Sequence, residues 1–126
     1  MADATSARAV LVVDDDRDLR ELVADVLEGS GRRVFTASDG ADALRQIDGD
    51  GIPRPCIVLL DWFMAPMDGR AFLQQLALRP DAGGFQVFLL SASSTAPPAQ
   101  LPWKVLGVLR KPFGIDDLLG TLDGHG

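Results

Sequence analysis

Polar side chains that could bind a metal ion and a phosphate group stand at the ends of four apolar runs. They are Asp14, Asp15 and Asp16, then Asp61, Ser91 and Lys111. Several carboxylates gathered at one point need a counter-charge, and oxygen ligands favour Mg²⁺, with Mn²⁺ as the alternative ion. A hydroxyl at Ser91 and an ammonium at Lys111 could hold phosphoryl oxygens beside that metal. Asp61 would then serve as a nucleophile that forms an aspartyl phosphate.

The stretch around Asp61 explains why this carboxylate is singled out. Four apolar residues, 57–60, run directly into it, and a bulky apolar segment leads on to Asp68 and Gly69. A short continuous apolar run is typical of a strand that is buried on both faces of a parallel sheet. The first polar residue after such a strand lies at its carboxyl end, where open α/β sheets bind their ligands.

Strands and helices must alternate along the chain to bring these side chains together. Apolar runs predict strands, and apolar residues at helical spacing predict helices between them. The acidic run also supplies a helix cap, at Asp16 or at Asp18 with Glu21 as its capping-box partner. The predicted strands cover 9–13, 33–37, 57–60, 85–90 and 105–109, and the predicted helices cover 19–27, 41–47, 72–77 and 115–122.

This alternation predicts a flavodoxin-like α/β fold, a three-layer sandwich around a five-stranded parallel sheet of order 2-1-3-4-5. Its ligand site would lie between the first and third strands. We expect one domain over residues 9–123, with tails at 1–8 and 124–126.

Composition limits the kinds of partner. The net charge of −6 argues against direct DNA binding, and no apolar run is long enough to span a membrane. The single cysteine, Cys56, fits a reduced cytoplasmic protein and is expected to be a buried apolar residue. We expect a monomer or a weak dimer.

Taken in order, the motifs resemble the receiver domain of two-component response regulators, a CheY-like fold. The segments that carry the resemblance are 12–16, 61–69, Ser91-Ala92 and 111–113. The resemblance implies that Asp61 accepts a phosphoryl group from a phosphohistidine on a sensor histidine kinase or phosphotransfer protein. Phosphorylation would switch contacts with a downstream protein target, and hydrolysis of the aspartyl phosphate would reset the domain.

The resemblance also implies roles for the remaining residues. Asp15, Asp61 and the main-chain carbonyl of Phe63 would bind Mg²⁺ directly, whereas Asp14 would act through water. Ser91 would be the switch residue that hydrogen-bonds the phosphoryl group. Lys111 would contact the phosphoryl group, with a cis bond to the following proline.

Three features depart from the family pattern. Ala65 stands where the family usually has proline, and Pro66 follows one residue later. Val108 occupies the aromatic switch position. Pro97, Pro98 and Pro102 predict a short or irregular helix between the fourth and fifth strands. We therefore expect the phosphorylation chemistry of the family to be kept, and the way in which phosphorylation is passed on to a partner to differ from the usual one.

Two other functions stay open at this point. One is a receiver-fold interaction module that works without phosphorylation. The other is a haloacid-dehalogenase-type phosphatase with Asp14 as nucleophile and Asp16 as acid. Trp62, directly after Asp61, either packs under its loop or is exposed as a partner contact, and exposure is preferred.

Overall fold

A computed structural model describes residues 9–49, 51–62, 67–92 and 104–123 of the 126-residue chain. Strands and helices alternate along them, with a short 3₁₀ turn at Ala82–Gly84 before the fourth strand. The strands are β1 (Ala9–Val13), β2 (Arg33–Ala37), β3 (Cys56–Asp61), β4 (Phe85–Ala92) and β5 (Gly107–Lys111). The helices are α1 (Arg17–Gly29), α2 (Gly40–Asp48), α3 (Gly69–Ala77) and α4 (Ile115–Asp123).

The strands form one parallel sheet in the order β2-β1-β3-β4-β5, which confirms the predicted topology. Ala9 of β1 pairs with Arg33 on one side and with Cys56 on the other. Every residue of β1 and β3 is buried, as their continuous apolar runs indicated. The two central strands therefore bring their carboxyl ends to the same edge of the sheet.

Apolar side chains cover both faces of this sheet. On one face, Ala43 and Ile47 of α2 and Phe72 and Leu76 of α3 pack against the strands. The helices α1 and α4 cover the other face through the side chains Val23, Leu27, Leu118 and Leu122. The predicted three-layer sandwich is thus confirmed.

Aspartate caps start the first three helices. Asp16, Asp39 and Asp68 each accept a hydrogen bond from the main-chain N–H three residues further on, at 3.2, 3.0 and 2.9 Å. Asp16 rather than Asp18 caps α1. The predicted capping-box role of Glu21 is wrong, because its carboxylate pairs with Arg17 at 3.0 Å.

The last two strands end later than the sequence predicted. β4 continues to Ala92, and β5 is shifted by two residues, from the predicted 105–109 to Gly107–Lys111. The reason is the pairing of the two strands, which runs from Phe88 and Gly107 to Ala92 and Lys111. Val105 instead packs against the hydrophobic core. Lys111 is therefore the last residue of its strand, whereas the predicted strand ended two residues before it.

Cys56 is buried, as predicted, and burial raises the pKa of its thiol to about 12. The thiol is therefore unreactive at neutral pH. The Lys111–Pro112 peptide bond is cis, as the resemblance implied. Among the described residues, no helix combines the length and apolar character that crossing a membrane requires.

Several sequence expectations lie outside the described residues. They concern the tails at 1–8 and 124–126, the carbonyl of Phe63, the displaced proline at 65–66, and the proline-rich crossover at 93–102.

Candidate metal and phosphoryl site

The predicted site residues that the structure describes lie at the carboxyl edge of the sheet. Asp14 directly follows β1, and its N–H extends the sheet by bonding the carbonyl of Ala37 at 3.1 Å. Asp61 is the last residue of β3, and Lys111 is the last residue of β5. Ser91 lies one residue beyond the partner of Asp61 on β4 and is 5% exposed. Asp14, Asp61, Ser91 and Lys111 therefore lie at or directly after four strand ends on the same edge of the sheet.

Three carboxylates form a cluster at this edge. Asp14, Asp15 and Asp61 each present an oxygen, and these three oxygens lie within 4.8 Å of one another. Asp14 is fully buried and Asp61 is 7% exposed, whereas Asp15 is exposed. Asp16 belongs to the cap of α1 instead. The arrangement combines two buried anions with one that solvent can reach.

Lys111 supplies the positive charge of the cluster. Its Nζ lies 2.8 Å from Oδ2 of Asp14 and 3.7 Å from Oδ2 of Asp61. The lysine side chain is 26% exposed, so its ammonium is partly hydrated while it faces the buried carboxylates. Buried carboxylates cost several kcal/mol when they lack a partner, and this contact therefore compensates the two least accessible charges.

Hydrogen bonds fix the acidic loop between β1 and α1. The main-chain N–H of Asp16 donates to Oδ1 of Asp14 at 2.9 Å, and Nη1 of Arg20 donates to the main-chain carbonyl of Asp14 at 2.8 Å. Arg20 was not among the predicted site residues. A signal was present, because a long side chain one turn into a helix points back toward the helix N-terminus.

Trp62 is partly buried and packs against the core, so the preferred prediction of an exposed side chain is wrong. The guanidinium of Arg70 lies 5.4 Å from the centre of its ring. The main-chain N–H of Trp62 donates to the carbonyl of Leu90 at 3.4 Å, and its own carbonyl accepts from Gly69 at 3.0 Å. Trp62 therefore joins β4 to the start of α3 immediately beside Asp61.

Gly69 is required here by close packing. A methyl group at this position would lie 2.9 Å from the carbonyl oxygen of Asp61 and 2.9 Å from Cα of Trp62. Both neighbours are main-chain atoms, which cannot rotate away. Any side chain at position 69 must displace the backbone that follows Asp61.

We expect Gly69→Ala to lower the free energy of unfolding by about 1–3 kcal/mol, as overpacking does. Urea denaturation measures the loss. Gly120→Ala is the matched control, because Gly120 lies in α4 with no atom near its added methyl, and alanine there should stabilise by up to about 1 kcal/mol. Equal stability of the two variants would contradict the described contact.

Val108, at the position where the family carries its aromatic switch, has a side chain that is 38% exposed. It lies on β5, opposite Leu89 of the buried β4. The short aliphatic side chain provides no ring that could rotate between a buried and an exposed position.

The donor set fits a hard divalent cation. Mg²⁺ prefers oxygen ligands and is commonly held by one or two carboxylates together with water and phosphate oxygens. The clustered oxygens of Asp14, Asp15 and Asp61 provide such ligands, and the exposed Asp15 leaves an approach from solvent. Asp14, already paired with Lys111, is the least available of the three for direct binding.

A doubly wound parallel sheet with an acidic cluster at its switch point defines the class of flavodoxin-like α/β domains that bind ligands at this edge. The sequence model of the response regulator receiver domain matches residues 10–123. The chain belongs to the family of response regulator receiver domains.

Individual relatives agree with this assignment. The response regulator MprA of Mycobacterium ulcerans is 34% identical over 113 residues, which cover 90% of this chain and 47% of that protein. MprA of Mycolicibacterium vanbaalenii is 35% identical over 113 residues, which cover 90% of this chain and 48% of that protein. The chain thus spans about half the length of these curated relatives.

Two solved structures share the fold over nearly their whole length. The chemotaxis response regulator CheY4 of Vibrio cholerae superposes with a TM-score of 0.80 at 28% identity, covering 93% of this chain and 97% of that one. A CheY-like receiver domain protein of Methanospirillum hungatei superposes with a TM-score of 0.77 at 27% identity, covering 92% of this chain and 91% of that one.

Proposed function

We propose that this receiver domain accepts a phosphoryl group on Asp61 in a Mg²⁺-dependent reaction and thereby switches contacts with another protein. The donor is a phosphohistidine on a histidine kinase or a phosphotransfer protein. An oxygen of the Asp61 carboxylate attacks phosphorus, the P–O bond forms, and the P–N bond to imidazole breaks. The leaving imidazole nitrogen takes up a proton. Water later attacks the phosphorus and releases inorganic phosphate, which restores the carboxylate.

The remaining residues have separate roles in this proposal. Asp15 and Asp61 would hold a Mg²⁺ ion directly, Asp14 would contribute through water, and the bound ion would neutralise charge on the phosphoryl oxygens. Lys111 offers an ammonium to a phosphoryl oxygen, and Ser91 donates a hydrogen bond to another. The main-chain carbonyl of Phe63 is the further proposed metal ligand.

The observation that carries the proposal is the convergence of Asp14, Asp15 and Asp61 with Lys111 at one sheet edge. A phosphorylation-independent module would need none of this arrangement. The phosphatase alternative is not favoured either, because its nucleophile, Asp14, is fully buried and bonded by both Asp16 and Lys111. Incubation with acetyl phosphate, with and without Mg²⁺, tests the proposal. A protein that takes up no phosphoryl group in Mg²⁺ would overturn it.

The surface beside the site supports a protein as phosphoryl donor. Leu22 of α1 and Ile115 of α4 are 56% and 55% exposed, and they line an apolar groove with Phe113. Ile115 follows Lys111 by four residues, and α1 begins directly after the acidic loop. A protein that delivers a phosphoryl group to Asp61 must cover this edge, so the groove is our proposed contact for the donor.

We expect Leu22→Glu to slow phosphotransfer from a cognate histidine kinase about tenfold, because a charge would be buried in the contact. Phosphorylation by acetyl phosphate should be unchanged, since that reaction needs no protein contact. Leu78→Glu is the control, as Leu78 is 78% exposed at the far end of α3. Equal transfer rates for the two variants would exclude the groove as the contact.

Further proposals concern the partner, the cellular location and the oligomeric state of this domain. The net charge of −6 supports a downstream protein rather than DNA as the partner of this chain. We propose a cytoplasmic signalling domain that is a monomer or weak dimer, occupies residues 9–123, and promotes only its own phosphorylation and dephosphorylation.

A further inference from the structure

The N–H, the main-chain carbonyl and both carboxylate oxygens of Asp14 each make a hydrogen bond. Its N–H bonds the carbonyl of Ala37, its two carboxylate oxygens accept from the N–H of Asp16 and from Nζ of Lys111, and its carbonyl oxygen accepts from Nη1 of Arg20. Three of these contacts come from the sheet, the acidic loop and the site lysine. The fourth comes from a helix side chain that has no part in the proposed phosphoryl chemistry.

Within the described part of the chain, no hydrogen bond or ion pair holds the Asp15 carboxylate in the same way. Its side chain is exposed, whereas Asp14 is fully buried and Asp61 is 7% exposed, so packing does not orient the Asp15 carboxylate. The carbonyl of Asp14 belongs to the same planar peptide group as the N–H of Asp15. A hydrogen bond that fixes this carbonyl also fixes the plane from which the Asp15 side chain departs.

We propose that Arg20 is a positioning residue for the metal site and that it acts through the peptide group between Asp14 and Asp15. Its guanidinium, 2.8 Å from the Asp14 carbonyl, keeps the Asp15 carboxylate directed toward Asp61. This inference rests on the proposed Mg²⁺ site. It assigns to Arg20 a role in metal affinity that its charge alone would oppose.

Charge repulsion and side-chain positioning predict opposite effects on Mg²⁺ affinity when Arg20 is removed. A guanidinium near an acidic cluster repels a divalent cation, so its removal should strengthen metal binding if charge is what matters. If Arg20 aligns Asp15, its removal should weaken metal binding. Arg17 separates the two effects because it lies on the same helix with the same charge, but its described partner is Glu21, at 3.0 Å.

The test is Mg²⁺ titration of Arg20→Ala, Arg17→Ala and the unmodified chain by isothermal calorimetry. We expect Arg20→Ala to raise the Kd about tenfold, the effect of losing an outer-shell contact. Arg17→Ala should leave the Kd within about twofold or lower it slightly. In NMR spectra, the Mg²⁺-induced shift of the Asp15 amide should need about tenfold more Mg²⁺ in Arg20→Ala to reach half of its full size, while amides of the core stay in place.

The outcomes separate this inference from the proposed function. An unmodified chain that binds no Mg²⁺ would overturn the metal site itself. If the unmodified chain and Arg17→Ala bind and Arg20→Ala binds equally well or more tightly, only the role of Arg20 is overturned. Should Arg20→Ala fail to fold, Arg20→Gln, which also removes the charge and shortens the donor, must show the same weakened binding, and an unchanged Kd would overturn the inference.

Discussion

Asp61→Asn is expected to reduce phosphorylation by acetyl phosphate in Mg²⁺ to background, a loss of about a thousandfold or more. The amide has nearly the shape of the carboxylate but lacks the anionic oxygen that attacks phosphorus. Asp61 ends β3 and is 7% exposed, so an isosteric change leaves the strand pairing intact. The substitution also removes one of three clustered negative charges. In the absence of metal, the variant should therefore be as stable as the parent. Intact-protein mass spectrometry counts the phosphoryl groups.

Asp68→Asn is the matched control for this loss. Asp68 follows Asp61 by seven residues but caps α3 through a bond from the N–H of Ala71 at 2.9 Å, and asparagine is an equally good cap. This variant should be phosphorylated like the parent. Full labelling of Asp61→Asn would place the phosphoryl group elsewhere, and loss of labelling in Asp14→Asn alone would support the phosphatase alternative.

Lys111→Met is expected to lower the free energy of unfolding in EDTA by about 3 kcal/mol. Breaking a buried ion pair typically costs about 3–5 kcal/mol, and the 26% exposure of the Lys111 side chain places this pair at the lower end. Methionine keeps the aliphatic length, so the loss reports the charge. The fully buried carboxylate of Asp14 keeps its bond from Asp16 but loses its cation.

Mg²⁺ should restore more stability to Lys111→Met than to the parent, because a divalent cation can replace the missing charge and no ammonium competes with it. Urea denaturation in EDTA and in Mg²⁺ measures both effects. Lys104→Met is the control, since Lys104 is exposed and has no described contact with the cluster. If the two variants were equally stable in EDTA, the 2.8 Å contact between Lys111 and Asp14 would contribute nothing.

The fold could be predicted from the sequence because the sequence features that determine it lie within short segments of the chain. The continuous apolar runs of β1 and β3 cannot be solvated on either face, and strands that alternate with helices leave few topologies. The convergence of the carboxylates with Lys111 followed for the same reason, because residues that end parallel strands meet at one edge. Asp14, Asp61 and Lys111 could therefore be placed together without any knowledge of side-chain geometry.

What the sequence did not predict depends on contacts between distant segments. The end of β5 is set by its pairing with β4, which carries the strand two residues past the apolar run to Lys111. The partial burial of Trp62 depends on the packing of α3 and on the close approach of Gly69. The bond from Arg20 to the Asp14 carbonyl arises only once α1 has its direction, which the cap at Asp16 determines.

The complete burial of β1 and β3 has a consequence for how such a domain can diverge. The apolar side chains of these strands do not reach the surface, so none of them is available for choosing a partner, and most changes there would cost core packing. Asp61, at the end of β3 and 7% exposed, is the exception because it is the proposed reactive group. Under the proposed function, the residues that choose a partner therefore lie outside the apolar parts of these two strands. If the proposed donor contact on α1 and α4 is correct, a designer could redirect this chain to another partner by changing the outer faces of these helices while keeping the carboxylates and Lys111.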